Sequence, residues 1–197
     1  MNDITDSRSR LLIGLGLAAL MAATRGQFFA PLAHHLPDAS LAVFFLGGVY
    51  LRQLGGFVAL FVLATVLDLT AIGWGGVSGY CLTAAYWMLV PAYGAVWGAG
   101  RWYAGRHRAT AATLPLLAGA LLVGGIASEM ISSGGFYLLS GRFADLSLTE
   151  LLGRFATYMP ATLVQLAAYV GLIALAHLSL VGIRSRSGAE RVRRNDR

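Results

Sequence analysis

Apolar residues fall into six blocks along the chain, separated by short polar or glycine-rich breaks. The blocks cover residues 11–23 (with Phe28 and Phe29 just beyond), 39–51, 54–67, 80–99, 111–139 and 155–183. Each block predicts a helix that crosses a lipid bilayer, for which about 20 apolar residues are needed. The first three are short against that length. Short spans imply tilt, local bilayer thinning or burial inside the bundle. The polar stretch before Leu11 followed by an apolar run resembles a leader peptide, but no soluble domain follows, so the run is read as the first membrane helix.

Composition agrees with a lipid solvent. Of 197 residues, 57% are hydrophobic and 12% charged, and mean hydropathy is +0.66. A soluble domain carries about 25% charged residues. No polar stretch is long enough to fold separately, so residues 1–183 read as one transmembrane domain and 184–197 as an Arg-rich cytoplasmic tail without structure. That tail suits contact with anionic lipid heads. No internal inverted repeat is visible.

The net charge is +6, and all 15 basic residues are arginines. They sit at the ends of apolar blocks, which speaks for topology and against a nucleic-acid-binding face. With the N-terminus inside, the inner segments hold Arg8, Arg10, Arg52, Arg101, Arg106, Arg108, Arg184, Arg186, Arg191, Arg193, Arg194 and Arg197. The outer segments hold only Arg25, Arg142 and Arg154. This bias predicts an even number of spans with both termini in the cytoplasm.

The outer connections are then residues 25–38, 69–79 and 140–154. The second is rich in glycine and carries Trp74, a combination that allows close backbone approach and offers an aromatic surface. Asp68 ends the third block at the same edge, where an ionisable group faces either a cavity or solvent. Cys81, the one cysteine, follows 13 residues later and is expected to open the fourth helix. A lone cysteine forms no internal disulfide and is most often a small buried hydrophobe. At a helix N-terminus its thiolate is favoured, and a thiolate is a soft metal ligand. Four protein ligands for zinc are not in sight, but a metal arriving inside an organic cofactor needs only one.

Tyr86 and Trp87 lie just beyond, as ligand contacts or as core and interface aromatics. Arg154 is expected at the start of the sixth helix, either paired with Glu150 or gripping a ligand amide or phosphate, with Tyr158 on the same face. Glu129 lies inside the fifth span among Ser128, Ser132 and Ser133, as a functional carboxyl or a partner of Ser or Arg. His34 and His35 form a weak metal signal in the first outer connection, and His177 reads as structural. Asp68, Trp74, Cys81, Tyr86 and Arg154 thus predict a pocket open to the outside. No ATP-binding motif, proton-relay series or catalytic-triad spacing is present. In the first helix Gly14, Ala18 and Ala22, and separately Ala19 and Ala23, repeat every four residues. Such strips serve packing within the bundle or docking of another membrane subunit.

Six short helices, outer loops and the small-residue strip resemble the substrate-binding S-components of energy-coupling factor transporters. Within that group, Asp68, Cys81, Tyr86 and Arg154 resemble the motif residues of the BtuM family of cobalamin transporters. The resemblance covers essentially the whole chain. It implies an all-α bundle of six transmembrane helices in the bacterial inner membrane. Cobalamin would be the substrate, with Cys81 bound to cobalt on its upper axial side and able to displace cyanide. Asp68, Tyr86 and Arg154 would serve its amides or nucleotide loop. It further implies a membrane coupling subunit with two ATPases, docked through Ala19 and Ala23. Two other readings of the residues remain: an S-component for another vitamin with Cys81 merely buried, and a membrane enzyme using Cys81 as nucleophile.

Overall fold

The computed structural model describes residues 7–25, 36–76, 78–108 and 113–195. Among them the chain forms six α-helices and no strand: α1 (Ser7–Arg25), α2 (Ser40–Tyr50), α3 (Leu54–Gly73), α4 (Leu89–Arg106), α5 (Leu114–Leu139) and α6 (Leu148–Asn195). Two 3₁₀ turns, Gly79–Cys81 and Ala84–Met88, join α3 to α4. Three helices are long and apolar enough to cross a membrane: α3, α5 and the Leu148–Ala176 part of α6. The helix α2 is apolar but has only 11 residues, about 16 Å at 1.5 Å per residue. The helices α1 and α4, of 19 and 18 residues, carry Arg8, Arg10 and Arg25, and Arg101 and Arg106, within their length.

The short second block is explained by its place. Val43, Phe44 and Phe45 are fully buried, and α2 lies at the centre of the bundle against α1, α3, α4 and α6. Glycine permits this. A Cβ at Gly48 would collide with the Trp97 carbonyl oxygen, and one at Gly100 with the Phe45 carbonyl oxygen. The backbones of α2 and α4 therefore touch, as small residues allow between membrane helices. Phe44 stacks on Tyr93 with ring centres 4.2 Å apart, and Phe57 meets Trp97 edge-on at 5.5 Å. These aromatics fill the centre that α2 leaves narrow.

Expectations change at several helix ends. The third helix does not end at Asp68 but runs on to Gly73, so residues 69–73 are helical and not part of an outer connection. The fourth helix starts at Leu89, not at Tyr80. Pro91 has no N–H to give the Trp87 carbonyl, so a regular α-helix cannot run upstream through this point. Thr83 instead caps the second 3₁₀ turn, its Oγ1 accepting from the Ala85 N–H at 3.3 Å. The sixth helix starts at Leu148, seven residues ahead of the apolar block. It also continues to Asn195, where the sequence predicts an unstructured tail; arginine, alanine and glutamate are good helix formers, and the helix simply propagates through them.

Along α1, Leu17, Met21 and Thr24 face the core. Gly14, Ala18 and Ala22 flank that face, whereas Ala19 and Ala23 are exposed. An open cleft of about 500 Å³ separates the start of α1 from the α2–α3 turn, lined by Ser7, Arg10, Leu11, Leu51, Gln53 and Gly56. It lies at the end of the bundle opposite Arg25.

Candidate functional site

Arg25 ends α1, and its guanidinium organises the neighbouring ends of α2, α3 and α4. Nε donates to Asp68 Oδ1 and Nη2 to Asp68 Oδ2, both at 2.7 Å, a two-pronged charged pair. Nη1 donates to the Tyr93 hydroxyl at 2.7 Å and to Ser40 Oγ at 2.9 Å, and lies 3.4 Å from Asp38 Oδ2. The Arg25 side chain is 13% exposed and that of Asp68 22%. Asp38 lies just ahead of α2, its Oδ1 accepting from the Ser40 N–H at 2.9 Å and from Ser40 Oγ at 2.6 Å.

Asp68 receives a third hydrogen bond. The Tyr86 hydroxyl, in the second 3₁₀ turn, donates to Oδ2 at 2.8 Å. Burial, and then its hydrogen bond to Asp68 and the charge there, push the Tyr86 phenol up to about 12. It therefore stays a neutral donor across the ordinary pH range. Both oxygens of Asp68 are thus engaged within the protein, with Tyr86 and Arg25 as the groups holding it.

A second group sits on the facing ends of α5 and α6. Arg154 lies two turns into α6, between the rings of Phe143 at 5.0 Å and Tyr158 at 5.4 Å from its guanidinium carbon. Its Nε is buried and has no hydrogen-bond partner. The expected Glu150–Arg154 pair is absent, because the Tyr137 hydroxyl sits 3.1 Å from Glu150 Oε2 while accepting from the Ser147 N–H at 2.6 Å. Arg142 lies over the ring of Tyr80 at 4.6 Å, and Tyr80 packs on Phe136 at 5.8 Å. The turn ending at Cys81 is thereby pinned to the end of α5.

The site residues expected from sequence therefore separate. Asp68 joins Tyr86, and Arg154 joins Tyr158. Trp74, at the end of α3, is 82% exposed. No hydrogen bond or ring contact joins the two groups among the described residues. Cys81 closes a 3₁₀ turn eight residues before α4, so the α-helix dipole invoked for its thiolate is not at its position. Its side chain, His34, His35 and the side chain of His177 lie outside the described residues. Glu129 does pair with serine: Ser133 Oγ donates to Oε1 at 2.5 Å, and Thr162 Oγ1 on α6 donates to Oε2 at 2.9 Å.

Sequence reasoning missed Arg25, Asp38, Ser40 and Tyr93 as a unit. One signal was available: Arg25 is one of three arginines on the side of the bundle that the other twelve avoid. No family model matches the chain, and no curated protein matches it.

Proposed function

We propose that this chain is a six-span uptake protein of the bacterial inner membrane, with both termini cytoplasmic, that binds cobalamin at the Arg25 end of the bundle. The observation that carries this reading is Arg154. A guanidinium held between two aromatic rings, with a buried Nε and no acceptor, suits an amide carbonyl or phosphate oxygen of an incoming ligand. Cobalamin offers both, on its corrin side chains and its nucleotide loop.

The Cys81 thiolate would bind the cobalt of this substrate from the upper axial side. In cyanocobalamin the Co–CN bond breaks as the Co–S bond forms. Cyanide leaves with its electron pair, and the proton that the Cys81 thiol gave up on becoming a thiolate ends on it or on water. Cobalt keeps its oxidation state, so no reductant is required. Asp68 and Tyr86 would shape the polar side of the cavity, with Arg25 holding both in place. The exposed Ala19 and Ala23 on α1 offer a flat strip for a coupling subunit carrying two ATPases.

The test is a titration of purified protein with cyanocobalamin, read by visible absorption, for wild type and Cys81→Ala. The corrin bands report the axial ligands. A shifted spectrum and free cyanide with wild type, and neither with Cys81→Ala, support the reading. Equal binding with unshifted bands makes Cys81 a packing residue, and absence of binding by wild type removes cobalamin as the substrate.

A further inference from the structure

The cleft between the start of α1 and the α2–α3 turn carries charge that no described residue answers. Ser7, Arg10 and Leu11 stand at i, i+3 and i+4 of α1 and so share one face. With Leu51, Gln53 and Gly56 they line about 500 Å³ of open space. That volume falls within the range of small-ligand sites, about 300–1,000 Å³. Leu51 fills the gap between the two long helices: a Cβ at Gly14 of α1 would meet it at 3.8 Å, and one at Gly56 of α3 at 3.1 Å.

Arg10 is half-buried here, yet its guanidinium has no hydrogen bond or ion pair among the described residues. A partly desolvated cation is costly unless an acceptor or an anion meets it. The neighbours add to the charge. Arg8 is exposed on the first turn of α1, and Arg52 stands between the lining residues Leu51 and Gln53. The first turns of α1 and α3 carry no acidic residue. Arg52 is also the one non-glycine with positive φ among the described residues, at 59°. Glycine adopts this conformation freely and arginine does not, so a cation occupies a position where glycine would be the relaxed choice.

The other half of the cleft is apolar. Leu11 is 64% exposed, and Leu12, Leu15 and Leu54 close by are exposed as well. The helix α3 begins at the cleft and is one of the three able to cross a membrane, so the cleft lies where hydrocarbon gives way to headgroups. Its occupant must carry negative charge at one end and methylenes at the other, and must reach it from the bilayer. A phospholipid with a net negative head does all of this. Its phosphate accepts two parallel bonds from a guanidinium, and single bonds from a hydroxyl or amide such as those of Ser7 and Gln53. A soluble phosphate would answer Arg10 and leave the leucines uncovered.

We propose that this cleft binds the phosphate head of an anionic phospholipid, with Arg10 as its charge partner and Leu11 and Leu51 against its first methylenes. The site is independent of which solute the protein carries.

The test titrates the full chain, purified in detergent, with phosphatidylglycerol or phosphatidylcholine and counts bound lipid by native mass spectrometry. Wild type is expected to bind phosphatidylglycerol about tenfold more tightly, the scale of one charge-assisted hydrogen bond. Arg10→Gln is expected to lose that preference. Arg101→Gln, which removes a charge on α4 outside the cleft, is expected to keep it. Ser7→Asp sets a carboxylate at an exposed edge of the cleft and is expected to lose the preference too, so the test stands even where Arg10→Gln does not fold. Equal binding of the two lipids by wild type overturns the proposal. Equal losses in Arg10→Gln and Arg101→Gln also overturn it, since the preference is then a general effect of charge. Competition by glycerol phosphate as strong as that by short-chain phosphatidylglycerol makes the site one for a soluble phosphate instead. Loss of stability in both Arg10→Gln and Asp6→Asn, with no lipid preference in wild type, assigns Arg10 to the acid four residues upstream.

Discussion

Of the arginines at this end of the bundle, Arg25 has carboxylate partners and Arg154 has none. Arg25 shares its donors among Asp68, Tyr93, Ser40 and Asp38, so its loss strands a partly buried acid. Arg25→Ala or Asp68→Asn is expected to cost about 2–4 kcal/mol, below the full figure for a buried pair because Asp68 keeps some contact with solvent. Chemical denaturation of the purified protein measures it. Arg154 behaves oppositely. Its Nε has no partner to lose, so Arg154→Ala is expected to leave stability within about 0.5 kcal/mol while weakening cobalamin binding about tenfold or more. A variant that loses stability and binding together assigns Arg154 to the scaffold instead. From sequence, Asp68, Tyr86, Arg154 and Tyr158 were legible as polar or aromatic groups at one edge. Their grouping was not, because a pair 43 residues apart such as Arg25–Asp68 depends on how α1 and α3 meet. Periodicity along one helix carries no trace of that.

Helix existence was readable because lipid makes apolar length the dominant signal. All six apolar blocks became helices. Their ends were read less well, and the shifts at α4 and α6 have local causes: Pro91 delays α4, and helix-forming residues carry α6 past both ends of its apolar block. The close packing of α2 on α4 was also hidden, since Gly47, Gly48 and Gly100 look like any glycines in an apolar run. Gly100→Ala is expected to push the two helices apart and cost about 1–3 kcal/mol, more than Gly98→Ala, where a Cβ meets nothing within 4 Å. Comparing the thermal unfolding of the two variants checks this directly. Similar losses in both place the cost in something other than the α2–α4 contact.

Taken whole, the molecule has one end rich in bonded polar groups and, at the other, a cleft beside the α2–α3 turn. Six spans with both termini inside require these ends to face opposite sides of the membrane. In a Cys81→Ser background, a cysteine at Gly75 is expected to react with a membrane-impermeant maleimide added to intact cells. A cysteine at Arg106 is expected to react only after permeabilisation. Reaction of both from the same side removes the six-span topology.

The shortness of α2 sets the spacing of the polar layers as well. This helix occupies the middle of the bundle, and the polar layers at its two ends, Asp38 and Ser40 above and Arg52 and Gln53 below, are separated by little more than its own length of about 16 Å. The surrounding hydrocarbon is about 30 Å thick. The polar layers at the protein's own centre are thus spaced at about half the thickness of the hydrocarbon around them.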